Sequence, residues 1–168
     1  MLATPHMLAG AAIGASVRRP WLAVSVAFGS HFLLDFIPHV DSHGLFGAGT
    51  GGPTVGEAIS ASVDVLVGVV LVLALVGRQP GRRRMLAAAF AAIVLDLADN
   101  VPPWGGWFRA WSGTHWLSLF HHGIQHNLAR AQWPLGIAIQ LPIIGFAAWL
   151  LLKRRTRSPS MPPAGPEQ

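Results

Sequence analysis

Apolar residues fall into five runs along the chain, separated by short polar connections. They extend from about Leu2 to Val17, Trp21 to Pro38, Thr54 to Gly77, Met85 to Val101 and Trp133 to Leu152. Each reads as a helix, because a backbone in lipid must satisfy its own hydrogen bonds. The first is short for a full crossing, which takes about 20 residues. Between the fourth and fifth runs, Trp104 to Ala131 alternates aromatic and polar residues and reads as one or two helices lying at the membrane interface. The expectation is an all-α fold: a polytopic membrane helix bundle of about five transmembrane segments, with an interfacial helix between the fourth and fifth.

Composition agrees. Of 168 residues, 52% are hydrophobic and only 11% charged, and the mean hydropathy is +0.46. Soluble domains carry about 25% charged residues. Residues 1–155 read as a single integral membrane domain, and the Pro-rich residues 156–168 as a disordered cytoplasmic tail. There is no cysteine, which excludes disulfides and thiolate metal sites.

The formal charge of +5 sits in short clusters rather than in a nucleic-acid-binding patch. Arg18, Arg19, Arg78, Arg82, Arg83, Arg84, Lys153, Arg154, Arg155 and Arg157 flank alternate connections, leaving Arg109 and Arg130 for the other side. The positive-inside rule then predicts a multi-pass protein of the inner (plasma) membrane with its N-terminus outside and its C-terminus cytoplasmic. Trp104, Trp107, Trp111, Trp116 and Trp133 gather on the outer side, as an aromatic belt does. The lipid bilayer is the expected partner, with no nucleic acid.

Polar residues interrupt this scheme in a biased way. Asp35, Asp64, Asp96 and Asp99 lie within apolar runs that hold no Lys or Arg to pair with them. A carboxylate at the centre of a membrane helix costs about 2.5–3.5 kcal/mol. With the predicted topology all eight histidines fall on the outer side, and Glu57, Asp64, Asp96 and Asp99 lie in the outer halves of their segments. Bound protons, the histidines or a metal ion must offset the acids.

Spacing narrows the candidates. His31 and Asp35 are four apart and share a helix face, and Asp96 and Asp99 are three apart. His122 and His126 are four apart, the interval at which two imidazoles grip one metal. The expected metal ligands are His6, His31, Asp35, His122 and His126, with Asp99 or Asp96 as a further ligand or general base. Imidazole and carboxylate donors suit a divalent metal, zinc first, with manganese or iron as alternatives. Asp64 reads as a protonated acid bonded to a neighbouring Ser, and the small residues of the first run (Ala9, Gly10, Ala11, Ala12, Gly14, Ala15) as a close-packing surface.

The stretches TPHMLAGAAIG (Thr4 to Gly14) and SHFLLDFIPHVD (Ser30 to Asp41) resemble small bacterial membrane-bound metal-dependent hydrolases. The LexA-binding, inner-membrane-associated hydrolase group is among them, distantly similar to zinc-dependent phospholipase C. The resemblance covers about a quarter of the chain. FHHGIQHN (Phe120 to Asn127) is similar in kind to a His-containing stretch near that family's C-terminal end. The resemblance implies a multi-helix membrane protein with a metal held by His6, His31 and Asp35, joined by His39, Asp41 and His122. Where many members carry His-Arg followed by Thr-His-Ser, this chain has only Gly113-Thr114-His115.

Three readings of function follow. The first is a metal-dependent hydrolase at the outer membrane face, acting on a phosphoester or ester of a lipid-like substrate. The second is a divalent-cation or proton transport module, which the lack of charge in the inner halves of the segments disfavours. The third is a structural membrane protein whose acids stay protonated.

Overall fold

The computed structural model describes residues 1–46, 54–101 and 104–157. The expected tail and the loop 47–53 lie outside the described residues, apart from the first two tail positions, which extend the last helix. The order is α1 (Ala3–Ser16), α2 (Pro20–Asp35), α3 (Ser42–Phe46), α4 (Val55–Val76), α5 (Arg82–Ala91), α6 (Val94–Asn100), α7 (Trp104–Ala110), α8 (Ser112–Ile124) and α9 (Trp133–Arg157), with a 3-10 turn at Arg130–Gln132. Among the described residues no strand forms, although an isolated bridge pairs His39 with Asn127.

Helix α1 is the axis of the bundle, packed on by α2, α4, α5 and α9. Its low polarity on every side fits that burial. Gly10 and Gly14, one turn apart, set the distance to α5. A Cβ on Gly10 would stand 2.6 Å from the Ala88 carbonyl oxygen, and one on Gly14 would stand 2.7 Å from the Met85 Cα. Small residues at this spacing let two backbones approach closely. Leu8, Ala11, Ala15, Met85, Ala89 and Leu151 build the main apolar core around that contact.

The fourth apolar run is not one helix. It breaks at Ala92 and Ile93, where Ile93 takes φ −122° and ψ −2°, so α5 and α6 are separate pieces. Among the described residues, helix α4 and the stretch Arg130–Thr156 are the two helical segments long and apolar enough to cross a membrane. Only 17% and 22% of their apolar windows are buried within the protein. Helix α1, at 14 residues, spans about 21 Å, which falls short of a hydrocarbon core about 30 Å thick.

Asp64 caps α1 across the bundle. Its carboxylate accepts from the Ala3 amide and, at 3.3 Å, from the Thr4 amide, while the Thr4 hydroxyl donates to the Asp64 carbonyl at 2.9 Å. The first amides of a helix have no partner within it. The acid in the middle of α4 supplies one, as a side-chain cap would from the same strand of sequence.

Alternating helix directions gather the arginines at one end. Arg84 Nε donates to the Gly14 carbonyl at 2.6 Å and its Nη1 to the Arg18 carbonyl at 2.9 Å. Gln79 Nε2 donates to the Leu75 carbonyl at 2.7 Å and to the Leu151 carbonyl at 3.3 Å. The basic segments after α1, α4 and α9 therefore meet. The histidines and acids of α1, α2, α6 and α8 meet at the opposite end.

Candidate metal centre

Four side chains from three helices converge at that opposite end. His31 and Asp35 come from the last turn of α2, Asp96 from α6 and His121 from α8. One donor atom from each lies within 4.8 Å of every other. His31 Nε2 and His121 Nε2 are 3.0 Å apart. Asp35 Oδ2 stands 3.2 Å from the first and 3.1 Å from the second. Asp96 Oδ1 stands 3.7 Å and 3.4 Å from the same two nitrogens.

The break between α5 and α6 orients His31. Ala92 sits at the break, and its carbonyl accepts the His31 Nδ1–H at 2.8 Å. The Nε2 of His31 is thereby left with its lone pair toward the cluster. Asp99, fully buried, does the same for His121: its Oδ2 lies 3.4 Å from His121 Nδ1. Asp99 is in turn held by the Ser118 hydroxyl at 3.0 Å and by Arg109, and His122 Nδ1 lies 3.3 Å from it. Two imidazoles whose outer nitrogens carry hydrogen point their inner nitrogens at one another and at two carboxylates. These four donor atoms could hold a metal cation. Burial opposes charge on His121, but hydrogen bonds with Asp35 and Asp99 outweigh it and push its pKa up to about 9.

Outside this group, Asp35 Oδ1 accepts from the Met1 ammonium at 2.7 Å and from His6 Nε2 at 3.1 Å. His6 stacks on His31 with ring centroids 4.4 Å apart, and its Nδ1 is buried without a partner. His39 donates from Nδ1 to the Ile37 carbonyl at 2.7 Å and turns Nε2 toward the Met1 nitrogen, also at 2.7 Å. Burial, then the Met1 ammonium, hold the His39 pKa below its ordinary value.

The residues expected to bind metal are thus distributed unevenly. His31 and Asp35 stand in the four-residue group, and His6 touches that group through Asp35. Asp96 is a member of the group. Asp99 and His122 form, with His121, a neighbouring set of three. His122 Nδ1 donates to the Ser118 carbonyl at 2.9 Å, and half of its side chain is exposed. His126 stands apart: its Nδ1 donates to the Ile124 carbonyl and its ring meets Phe36 edge-on. Its backbone carbonyl, however, accepts from the His39 amide at 3.1 Å and helps tie the end of α8 to the end of α2. Asp41 Oδ1 accepts from the Gly44 amide at 2.7 Å and starts α3.

His121 was not among the expected ligands. The signal lay in the outward face of α8, where Trp116, Leu119 and Phe120 are exposed. With those apolar residues facing out, the polar positions Ser118, His121 and Gln125 turn inward, and Gln125 Nε2 lies 3.0 Å from His121 Nε2. The pair four residues apart, His122 and His126, was the more visible spacing but not the inward one.

Access is limited. Asp35, His31 and His121 are buried, whereas Asp96 leaves 24% of its side chain exposed. Asp96 is the edge from which a small molecule would reach the cluster. No known protein family, curated protein or solved structure matches the chain.

Proposed function

We propose that this protein is a membrane-embedded metal-dependent hydrolase, with a divalent cation held by His31, Asp35, Asp96 and His121 near the outer membrane face. The observation that carries the reading is the 3.0 Å approach of the His31 and His121 Nε2 atoms, each backed by an acceptor on its other nitrogen. A carbonyl or carboxylate behind a ligating imidazole is the usual outer partner of a metal site. Two imidazoles and two carboxylates suit zinc, with manganese or iron as alternatives. The stretch Ser30 to Asp41, which resembles membrane-bound metal-dependent hydrolases, supplies His31 and Asp35 of this set.

The same reading takes five apolar runs as crossings, with the arginine end cytoplasmic. Helices α1, α2 and the α5–α6 pair, too short alone, would cross inside a bundle sheathed by α4 and α9. The exposed Trp104, Trp107, Trp111 and Trp116 would then lie at the outer interface. A phosphoester or ester of a lipid-like substrate would approach from there.

A dication lowers the pKa of a bound water toward about 7. Asp96, partly exposed, is the residue placed to accept the proton of that water. In ester hydrolysis Asp96 would hold that proton and return it to the leaving alcohol as the ester bond breaks. Asp99, whose oxygens are already occupied, orients His121.

The test is the metal content of detergent-purified protein, followed by turnover of phosphoester and lipid-ester substrates. About one ion per chain, together with hydrolysis that chelation abolishes, supports the reading. Absence of metal after resupply would overturn it. A bound ion without turnover on either substrate class would leave a metal-stabilised structural protein in its place.

A further inference from the structure

The arginine end holds a second feature, independent of the metal centre. A groove of about 620 Å³ is lined by Gln79, Gly81, Arg82, Arg83 and Leu86. Helix α5 begins there. Its N-cap is Gly81, with φ 81° and no side chain to cap the helix, and its first turn contains no acid. Arg82, Arg83 and Arg84 occupy that turn instead. The N-terminus of a helix carries partial positive charge and favours anions. Three guanidinium groups at this end repel both the dipole and one another. Arg84 is committed to the Gly14 and Arg18 carbonyls. Among the described residues Arg82 and Arg83 meet no carboxylate, and both are exposed.

Gln79 makes the groove more than a basic surface. It is 7% exposed and lines the groove. Its Nε2 is committed to the Leu75 and Leu151 carbonyls, which fixes the amide orientation. Its Oε1 is buried with no partner. A buried acceptor left without a donor carries the full cost of its lost hydration. The site therefore lacks two things at once: an anion for Arg82 and Arg83, and a hydroxyl or amine donor for Gln79. Leu86 adds an apolar wall.

We propose that this groove binds the headgroup of an anionic phospholipid whose phosphodiester carries a hydroxyl group. The phosphate meets Arg82 and Arg83 at the start of α5, as anions do at helix N-termini. The hydroxyl donates to Gln79 Oε1, and an acyl chain runs past Leu86. Charge complementarity and the unpaired oxygen select this occupant over a zwitterionic lipid.

The test is native mass spectrometry of the full chain, released from detergent in the presence of defined lipids. Phosphatidylglycerol supplies both the anion and the hydroxyl, phosphatidylmethanol the anion alone, and phosphatidylcholine neither net charge nor hydroxyl. Wild-type protein is expected to retain phosphatidylglycerol over phosphatidylcholine by roughly 30-fold, the effect of two arginines near an anionic headgroup. The double variant Arg82→Gln with Arg83→Gln, on exposed positions that leave the fold intact, is expected to lose that preference. The Lys153→Gln variant, at the same end but outside the groove, is expected to keep it. Gln79→Met is expected to remove only the preference for phosphatidylglycerol over phosphatidylmethanol. Equal retention of phosphatidylglycerol and phosphatidylcholine, or equal loss in the Lys153 variant, would overturn the site. Equal binding of phosphatidylglycerol and phosphatidylmethanol by wild type would overturn the role of Gln79. Displacement by free glycerol phosphate would assign the groove to a soluble ligand instead of a lipid.

Discussion

The two ends of the bundle solve opposite electrostatic problems. At one end Asp35, Asp99, His31, His39 and His121 are all buried and partner one another or nearby backbone, although His6 Nδ1 has no partner among the described residues. At the other, nearly every charge has one sign and faces outward, and the arginine that is tied down is tied to backbone carbonyls. A buried cluster must be neutralised where it stands, because an uncompensated charge there costs several kcal/mol. An exposed single-sign cluster is tolerated by solvent and takes its counter-charge from outside. The first arrangement could hold a small cation, and the second leaves its counter-charge to come from outside the described residues.

Removing a ligand should break the comparison most strongly. His31→Ala or His121→Ala should lower metal affinity by at least about 100-fold, read by elemental mass spectrometry, while lipid retention at the arginine end stays unchanged. Loss at both ends in a folded variant would show that they are coupled. Asp99→Asn keeps the shape but weakens the hold on His121, and should cost about 10–100-fold in metal affinity. An unchanged affinity would remove Asp99 from its orienting role.

Gly10→Leu should act on both ends alike. It drives a side chain into the Ala88 carbonyl and the Ala92 Cβ, and overpacking of this kind costs about 1–3 kcal/mol. The expected result is a lower thermal midpoint in detergent, with the His31 seat at the Ala92 carbonyl disturbed as well. A midpoint equal to wild type would show that α1 and α5 are less tightly packed than the structure has them.

Acidity should act on one end only. Without metal the His121 pKa is pushed up to about 9, so metal uptake below that pH expels a proton. Affinity should rise about tenfold per pH unit as the pH climbs from 7 toward 9, then level off. A flat profile over that range would show that His121 is already neutral before the metal arrives. The smallest effect is expected from His126→Ala, whose ring donates to the Ile124 carbonyl and meets Phe36. Metal content should equal wild type.

Much of the bundle was legible in the chain. The apolar runs became α1, α2, α4 and α9, and the aromatic-rich connection became α7 and α8. The pair His31 and Asp35 was readable because both stand on one helix at a spacing of four, a distance that the helix itself enforces. Asp64 was readable as a bonded acid, but not on the expected Ser: its oxygens accept from the first amides of α1, which lie on another helix. His121 escaped because its neighbours His122 and His126 show the more familiar interval, although the polar stripe of Ser118 and His121 opposite Trp116, Leu119 and Phe120 marks the inward face of α8.

The sequence by itself determined the helical class, the segregation of arginines from histidines and acids, and the candidate chemistry. These depend on hydropathy, charge and helix periodicity, which act over a few residues. Only the tertiary structure decided that α5 and α6 part at Ala92, that the released carbonyl orients His31, and that His121 completes the set with Asp35 and Asp96. Those contacts join residues 61 and 86 positions apart. They exist because Gly10 and Gly14 let α1 and α5 close together, and no pattern along one helix encodes where another helix will stop.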